Sequence, residues 1–466
     1  PPVFNYPYPG YSDFKTTYAS RPGTVYMGTN DGMMHAFDAT DGSERWAYVP
    51  TMVIPNMWKL ASTSYSNNHV NFVNGSPLTT DVCTANCSNA ASAVWKTILV
   101  GGLNAGGRGY YALDITDADA PTLLWEFTTA DDSDLGYSYG VPVITKKDDG
   151  TWVVMVTSGY NNTSPGDGKG YLYVLNAGTG AIISKISTNV GSTTTPSGLA
   201  KIAAWNTEST GNKASYVYGG DLLGNVWRFD INSNTTATIG TGSVLKFATL
   251  FSDSAGTSPQ PITTTPVLGS INNKRVIYIG TGKYLESADL STSQVQSQYA
   301  IMDDELNTTL TNPRNTLTQK TLANDEGTAT RTGSTTSCTA FTGRGWYVDF
   351  PDTKERVNID GKLVQGTLLV PTIVPSSTVC SPGGYGWLNF FDYKTGCAVE
   401  TSSGLAAVKY DSTIVGVNVF YIGGEPIVSI VTSTNPTPEQ PSTGVPFSLD
   451  SSHFSGKRML WREWIP

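Results

Sequence analysis

The chain has 466 residues, a formal net charge of −9, 14% charged and 11% aromatic residues, 48 glycines and 26 prolines. Its length suffices for a buried core in one large domain or two. The acidic balance excludes the clustered Lys and Arg that a nucleic-acid face needs, and no run of about 18 apolar residues is present to span a membrane as a helix.

Pro1–Pro22 is rich in aromatic residues and proline, shows no period, and is expected to wrap the outside of the domain. The chain starts without methionine or a leader pattern, which reads as a processed or excised piece. From Gly23 the pattern becomes regular. Val25–Gly28, Met33–Asp38 and Arg45–Val49 read as three strands joined by the turns Asn30-Asp31-Gly32 and Thr40-Asp41-Gly42, where glycine accepts positive φ. Thr51–Asn74 is a long connection with room for a short helix near Val53–Leu60.

The three-strand unit recurs at Thr97–Leu103, Gly109–Asp114 and Thr122–Phe127. It returns at Val153–Ser158, Gly170–Asn176 and Ala181–Ile186, and again at Tyr216–Gly219, Asn225–Asp230 and Val244–Ala248. Val276–Gly280 opens a fifth copy, and Gly345–Phe350 and Gly386–Asp392 read as third strands of two later ones. The period is irregular, roughly 50 to 75 residues. An entry signal stands before several units: Gly75-Ser76-Pro77-Leu78, Gly140-Val141-Pro142-Val143, Ile262–Val267 and Gly424-Glu425-Pro426-Ile427. A proline at a strand's first residue removes no interior ladder bond, so each signal marks an innermost strand.

These repeats predict an all-β fold, a β-propeller of about seven irregular four-stranded blades with long loop insertions. The expected division is a wrapping segment at 1–22, the propeller at 23–434 and an extension at 435–466 that docks on the body. The first unit lacks an innermost strand, so Ile427–Val431 is expected to fill that place and join the two ends of the domain, hiding unpaired edges. The long connections Val190–Leu199, Thr249–Thr265, Asp304–Thr342 and Thr432–Phe447 are polar and read as binding surfaces or disordered segments.

The cysteines are Cys83, Cys87, Cys338, Cys380 and Cys397. The spacing of Cys83 and Cys87 suits a small disulfide loop. It also suits half a metal site, but with only three histidines and no second such pair a tetrahedral zinc lacks ligands. Cys380 and Cys397 flank one strand and are expected to pair, leaving Cys338 over. Disulfides favour an oxidising compartment.

Asp131, Asp132 and Asp134 form an acidic group that reads either as a metal-binding loop or, preferably, as a solvated turn. Asp148-Asp149-Gly150 is a hairpin turn, and Asp221 and Asp230 cap strands. His35 reads as a satisfied structural histidine, far in sequence from His69 and His453. No nucleophile elbow, zinc helix, phosphate loop or EF-hand loop is present, and no catalytic or cofactor-binding residue is expected.

VYMGTNDGMMHAFDATDGSERW resembles the repeat of the pyrroloquinoline-quinone dehydrogenases, which are also propellers and hold their quinone beneath a disulfide of adjacent cysteines. No Cys-Cys pair occurs here, so that resemblance covers blade architecture alone. A broader one runs through Phe14–Pro50, Phe72–Pro77, Trp95–Asp117, Asp134–Ile144, Tyr216–Asp230, Gln260–Gly269 and Gly280–Leu290, then GWYVDFP and SPGGYGWLNFFD. In these blocks, taken in order, the chain resembles the C-terminal propeller of the PilC/PilY-type proteins, the type IV pilus tip-associated adhesins and assembly factors.

That resemblance implies a non-enzymatic pilus biogenesis factor and adhesin at the pilus tip or cell surface, exported through the periplasm. It implies minor pilins and a host or abiotic surface ligand as partners, and an N-terminal half absent from this chain. Many members carry a calcium loop, acidic at alternate positions, just before the residue matching Tyr216. Here those positions read Thr207, Ser209, Gly211, Lys213 and Ser215, with Glu208 and Asn206 out of register. No metal site is therefore expected there, and no cofactor. The second acidic loop of some members is also missing around Tyr410–Val417. A quinoprotein-like periplasmic dehydrogenase is the alternative function.

Overall fold

The computed structural model describes residues 2–206, 211–233, 237, 239–336, 338–339, 343–376, 383–435, 437–438, 440–441 and 445–447. Nearly all regular structure is β, and no helix among the described residues is long and apolar enough to cross a membrane. The chain divides into two compact units, Pro1–Val217 with Arg228–Val244, and Tyr218–Trp227 with Leu245–Pro466.

The first unit begins with helix α1 (Tyr11–Thr17). Strands β1 (Thr24–Gly28), β2 (Met34–Asp38) and β3 (Glu44–Tyr48) follow as a three-stranded sheet. The connection after it holds the short helix α2 (Ile54–Met57) between two 3₁₀ turns, where a helix was expected. A four-stranded sheet is built from β4 (Leu78–Ala85), β5 (Val94–Gly102), β6 (Gly109–Asp114) and β7 (Thr122–Thr128) in sequence order. The next, β8 (Val143–Lys146), β9 (Trp152–Thr157), β10 (Lys169–Asn176) and β11 (Ile182–Gly191), repeats that order. So does β12 (Ile202–Asn206), β13 (Ala214–Gly220), β14 (Asn225–Asp230) and β15 (Ser243–Thr249).

The entry signals sit where expected, for two separate physical reasons. Proline lies immediately before β4 and β8, where no ladder donor is needed. The glycine ahead of it permits close approach: a Cβ on Gly75 would lie 2.2 Å from the Gly102 carbonyl oxygen, and one on Gly140 would lie 2.2 Å from that of Ala200. Central strands are apolar on both faces, as in Trp152–Thr157, where every residue is buried, because each face is covered.

Pro1–Pro22 does more than wrap. Tyr6, Tyr11 and Phe14 are buried in one cluster with Trp95, Trp125 and Trp152, and the Tyr11 hydroxyl donates to Asp81 at 2.8 Å. The hydrophobic period is missing because α1 is only seven residues long and buries Tyr11 and Phe14, while Tyr6 inserts singly from the stretch before it.

In the second unit, β16 (Val267–Ile271), β17 (Lys274–Gly280) and β18 (Ser297–Asp303) run up to the long connection. That connection contributes β19 (Thr318–Lys320), β20 (Leu322–Asn324) and β21 (Thr330–Gly333) before β22 (Gly345–Asp349). Sheet order is β16-β17-β18-β22-β19, so Gly345–Phe350 is a third strand after the entry strand β16, as expected, but it closes the unit that Val276–Gly280 opens and not a later one. The expectation of a separate unit failed because an insertion separates β18 from β22 along the chain. Strands β23 (Lys362–Val364), β24 (Thr367–Val374), β25 (Tyr385–Asp392) and β26 (Leu405–Tyr410) form the next sheet, which β21 and β20 extend.

Finally β27 (Ile414–Ile422) and β28 (Glu425–Thr432) form a hairpin. Here the last entry signal has a different origin. Gly423 and Gly424 have φ of 61° and 90° and turn the hairpin, with nothing near either one. Val445 and Phe447 pack beside this hairpin's buried residues, while Trp461 and Trp464 lie outside the described residues.

Cys83 and Cys87 are bonded, with Cα atoms 5.7 Å apart. Cys397 is bonded to Cys338 across 59 positions, not to Cys380, which lies outside the described residues. The long connection folds back beside β25 and β26 and brings Cys338 to the turn that carries Cys397.

Candidate functional site

Two places in the first unit carry charges or loops singled out in the sequence. The first is the returning arm of the loop between β12 and β13. Thr207, Ser209 and Glu208 lie outside the described residues, while Asn206, Gly211, Lys213 and Ser215 lie inside them. The arm is stitched by neutral hydrogen bonds. The Gly211 carbonyl accepts from the Tyr8 hydroxyl at 2.8 Å. Asn212, buried with φ 48°, donates to the Ile144 carbonyl at 3.1 Å and accepts from Asn206 at 3.3 Å. Its own carbonyl accepts from Lys146 N at 2.9 Å and the Thr145 hydroxyl at 2.8 Å.

Two cations complete the arrangement. Lys213 Nζ lies 3.0 Å from Asp148, and Lys146 Nζ stands 3.3 Å above the Tyr8 ring. Calcium takes about six to eight oxygens, several of them carboxylate. The residues here offer hydroxyls, an engaged carbonyl and an ammonium, so they do not fit that ion.

The second place is the acidic turn after β7, and it is neither solvated nor a bare acidic loop. Lys185, from the middle of β11, puts its ammonium 2.7 Å from Asp134 Oδ2 and 2.9 Å from Asp132. The three side chains are 9%, 15% and 10% exposed respectively. Tyr173 donates to Asp132 at 3.0 Å, Asp167 N donates to Asp134 at 2.9 Å, and the Tyr171 ring lies 4.3 Å beneath the ammonium. Burial acts against the charged lysine, but hydrogen bonds and charge from Asp134 and Asp132 outweigh it and raise the Lys185 pKa. Burial first, then Asp132, pushes the Tyr173 phenol far above its ordinary range.

Asp131 turns away and accepts from Thr128 N at 2.8 Å. The expectation of a solvated turn fails because Lys185, more than fifty residues further along the chain, neutralises the group. The apolar neighbours Ile182, Ile183 and Ile186 were the available signal, since they mark Lys185 as a charge inside a largely buried strand.

The remaining expected residues, His453 excepted, lie among the described ones. Asp148 and Asp149 flank the β8–β9 turn, with Gly150 at φ 93°. Asp221 is fully buried and accepts from Leu223 N, Asn225 N and Trp227 Nε1. His35 lies between Asp31 and Glu44. His69 lies tilted against the Tyr65 ring, centroids 5.5 Å apart, and His453 is outside the described residues. Among the described residues no three His, Cys, Asp or Glu side chains are grouped to hold a metal.

The family profile of the PilY1 beta-propeller domain matches residues 4–335. The type IV pilus biogenesis factor PilY1 of Pseudomonas aeruginosa PAO1 is 30% identical over 514 aligned positions, covering 97% of this chain and 42% of that protein. A PilY1 homolog of Xylella fastidiosa is 33% identical, covering 83% of this chain and 30% of its own length. The crystal structure of the P. aeruginosa PilY1 C-terminal domain superimposes with a TM-score of 0.70 at 28% identity, covering 90% of this chain and 93% of that one. This chain spans about two fifths of the P. aeruginosa protein. With the repeated sheets, these matches give the fold as a β-propeller.

Proposed function

The chain belongs to the PilY1 beta-propeller domain family, and from that membership we propose that it is the propeller part of a type IV pilus biogenesis factor and tip-associated adhesin. Its partners are minor pilins and a host or abiotic surface ligand, and its place is the cell surface or pilus tip after export through the periplasm. The observation that carries this reading is a sequence relation running along nearly the whole chain, with a matching solved domain. Two disulfides agree with export into an oxidising compartment.

The role is non-enzymatic. That part of the reading rests on the relatives' description as pilus biogenesis factors. A quinoprotein-like dehydrogenase finds little support, because Cys83, Cys87, Cys338 and Cys397 are engaged in bridges between non-adjacent residues. Calcium does not regulate through the β12–β13 loop in this reading, because the positions Thr207, Ser209, Gly211, Lys213 and Ser215 carry no carboxylate and Glu208 is out of register.

The test is co-purification of the protein with candidate minor pilins, in calcium and in chelator. Recovery of a minor pilin equally in both supports the reading, and recovery of none overturns the assembly role. Calcium-dependent recovery overturns the regulatory part. An absorbing chromophore bleached by an alcohol would restore the dehydrogenase.

A further inference from the structure

His35 stands on β2 opposite Met27 of β1, and its side chain is 12% exposed. Each ring nitrogen faces a carboxylate: Nε2 lies 2.8 Å from Asp31 Oδ2, and Nδ1 lies 2.8 Å from Glu44 Oε1. An ionised carboxylate only accepts, and a neutral imidazole carries one N–H. Both contacts are satisfied together by the imidazolium. Asp31 is itself fixed, since its Oδ1 accepts from Met33 N at 3.0 Å and from the Thr29 hydroxyl. The ring stacks on Phe37 at 5.8 Å and 14°.

The three groups come from consecutive pieces of chain: the turn after β1, β2 itself and the start of β3. We propose that Asp31, His35 and Glu44 form a proton-operated clamp on the first sheet. With His35 protonated, the turn is tied to β3. Loss of the proton leaves one carboxylate facing a ring lone pair and loosens the sheet. The edge strand of that sheet, β1, also walls a groove of about 510 Å³, with Tyr26, Met27 and Gly28 on one side and Asn74, Gly75 and Pro77 on the other.

The charged groups that face the ring are Asp31 from the turn and Glu44 from β3. β1 supplies apolar Met27, and Arg45 of β3 is turned to Asp38 and Asp119. Burial acts against the charged ring, but the hydrogen bonds from Glu44 and Asp31 and their charges outweigh it, raising His35 above its ordinary 6.5. The clamp is therefore fully closed below pH 6.5 and is lost as pH rises through the raised value. Burial likewise opposes the Asp31 charge, yet hydrogen bonds from Thr29 and His35 lower it below 3.8, so the Asp31 contact is lost only under strongly acidic conditions.

The test is an NMR pH titration of the histidine rings together with amide exchange across residues 24–48 on the whole chain. We expect a His35 midpoint above 6.5. Protection of these amides, corrected for intrinsic exchange, falls as pH crosses that midpoint, about tenfold in all for each unit it exceeds 6.5. His35→Gln abolishes this pH dependence, and Glu44→Gln, which keeps the side chain's size, lowers the midpoint. A midpoint at or below 6.5, or an unchanged one in E44Q, overturns the clamp. So does an H35Q profile equal to that of the parent. E44Q carries the test alone where H35Q does not fold.

Discussion

Lys185 brings a single positive charge into a setting of two carboxylates, a phenol and an aromatic face, all largely out of water. Removing one partner of a buried pair leaves the other charge uncompensated, which costs about 3–5 kcal/mol in well-buried cases. Lys185→Met is expected to lower stability by about 2–4 kcal/mol, read as the shift of the urea midpoint, while Asp131→Asn changes it little. Equal losses from both variants would contradict the pairing. At the β12–β13 loop, calorimetry is expected to show no calcium binding at Thr207–Ser215. Micromolar binding abolished by changing Ser209 and Ser215 to Ala would contradict that. Tyr8→Phe is expected to cost about 1 kcal/mol and to raise amide exchange near Gly211. The acids of the turn after β7 and the missing acids of the β12–β13 loop were both legible in the sequence. Their partners were not, because Lys185 and Tyr8 reach them across 53 and 203 positions, and contact at such separations is decided by the fold.

Among the elements, the long connection between β18 and β22 departs furthest from its sequence reading as a binding surface or disordered stretch. Arg314, inside it, donates to Asp349 and to Ser297 at 2.5 and 2.7 Å. Arg331, on β21, is completely buried with Glu355, donating to both its oxygens at 2.7 and 2.8 Å. Its guanidinium also lies 3.1 Å from Asp352 and 3.8 Å from the Trp387 ring. This cluster ties β21 to the connection between β22 and β23 and to Trp387 of β25. Arg331→Met is expected to destabilise the protein by about 3–5 kcal/mol, because Glu355 is then buried without its partner. A denaturation midpoint within error of the parent would exclude that role. Strand positions with two-residue alternation and Asp-Gly turns were legible because they are local. The insertion strands β19 to β21 are three or four residues long, polar, and held by partners distant in sequence, so no periodicity announced them. The Cys83–Cys87 bridge was legible for the same reason of locality, and its reduction is expected to matter little globally, since so short a loop removes little entropy from the unfolded chain.

For the molecule as a whole, the repeat of sheets and the family relation were both visible in the sequence, while the way the first blade is completed remains a proposal. That proposal places Ile427–Val431 as the fourth strand beside β1. Truncation after Tyr421 is expected to raise amide exchange across Val25–Asp38. Native protection in the truncated protein would show that the first sheet stands on three strands. The Cys338–Cys397 bond has a consequence of another kind. When a chain is loaded in tension, a covalent bridge diverts that load past everything between its ends. The bond encloses a separation of 59 residues, about 200 Å of extended chain at roughly 3.5 Å per residue. When the protein is drawn out end to end, that length stays hidden. It appears as added extension only after reduction, so the oxidised molecule gives less under pull and keeps β22 to β25 folded back inside a closed loop.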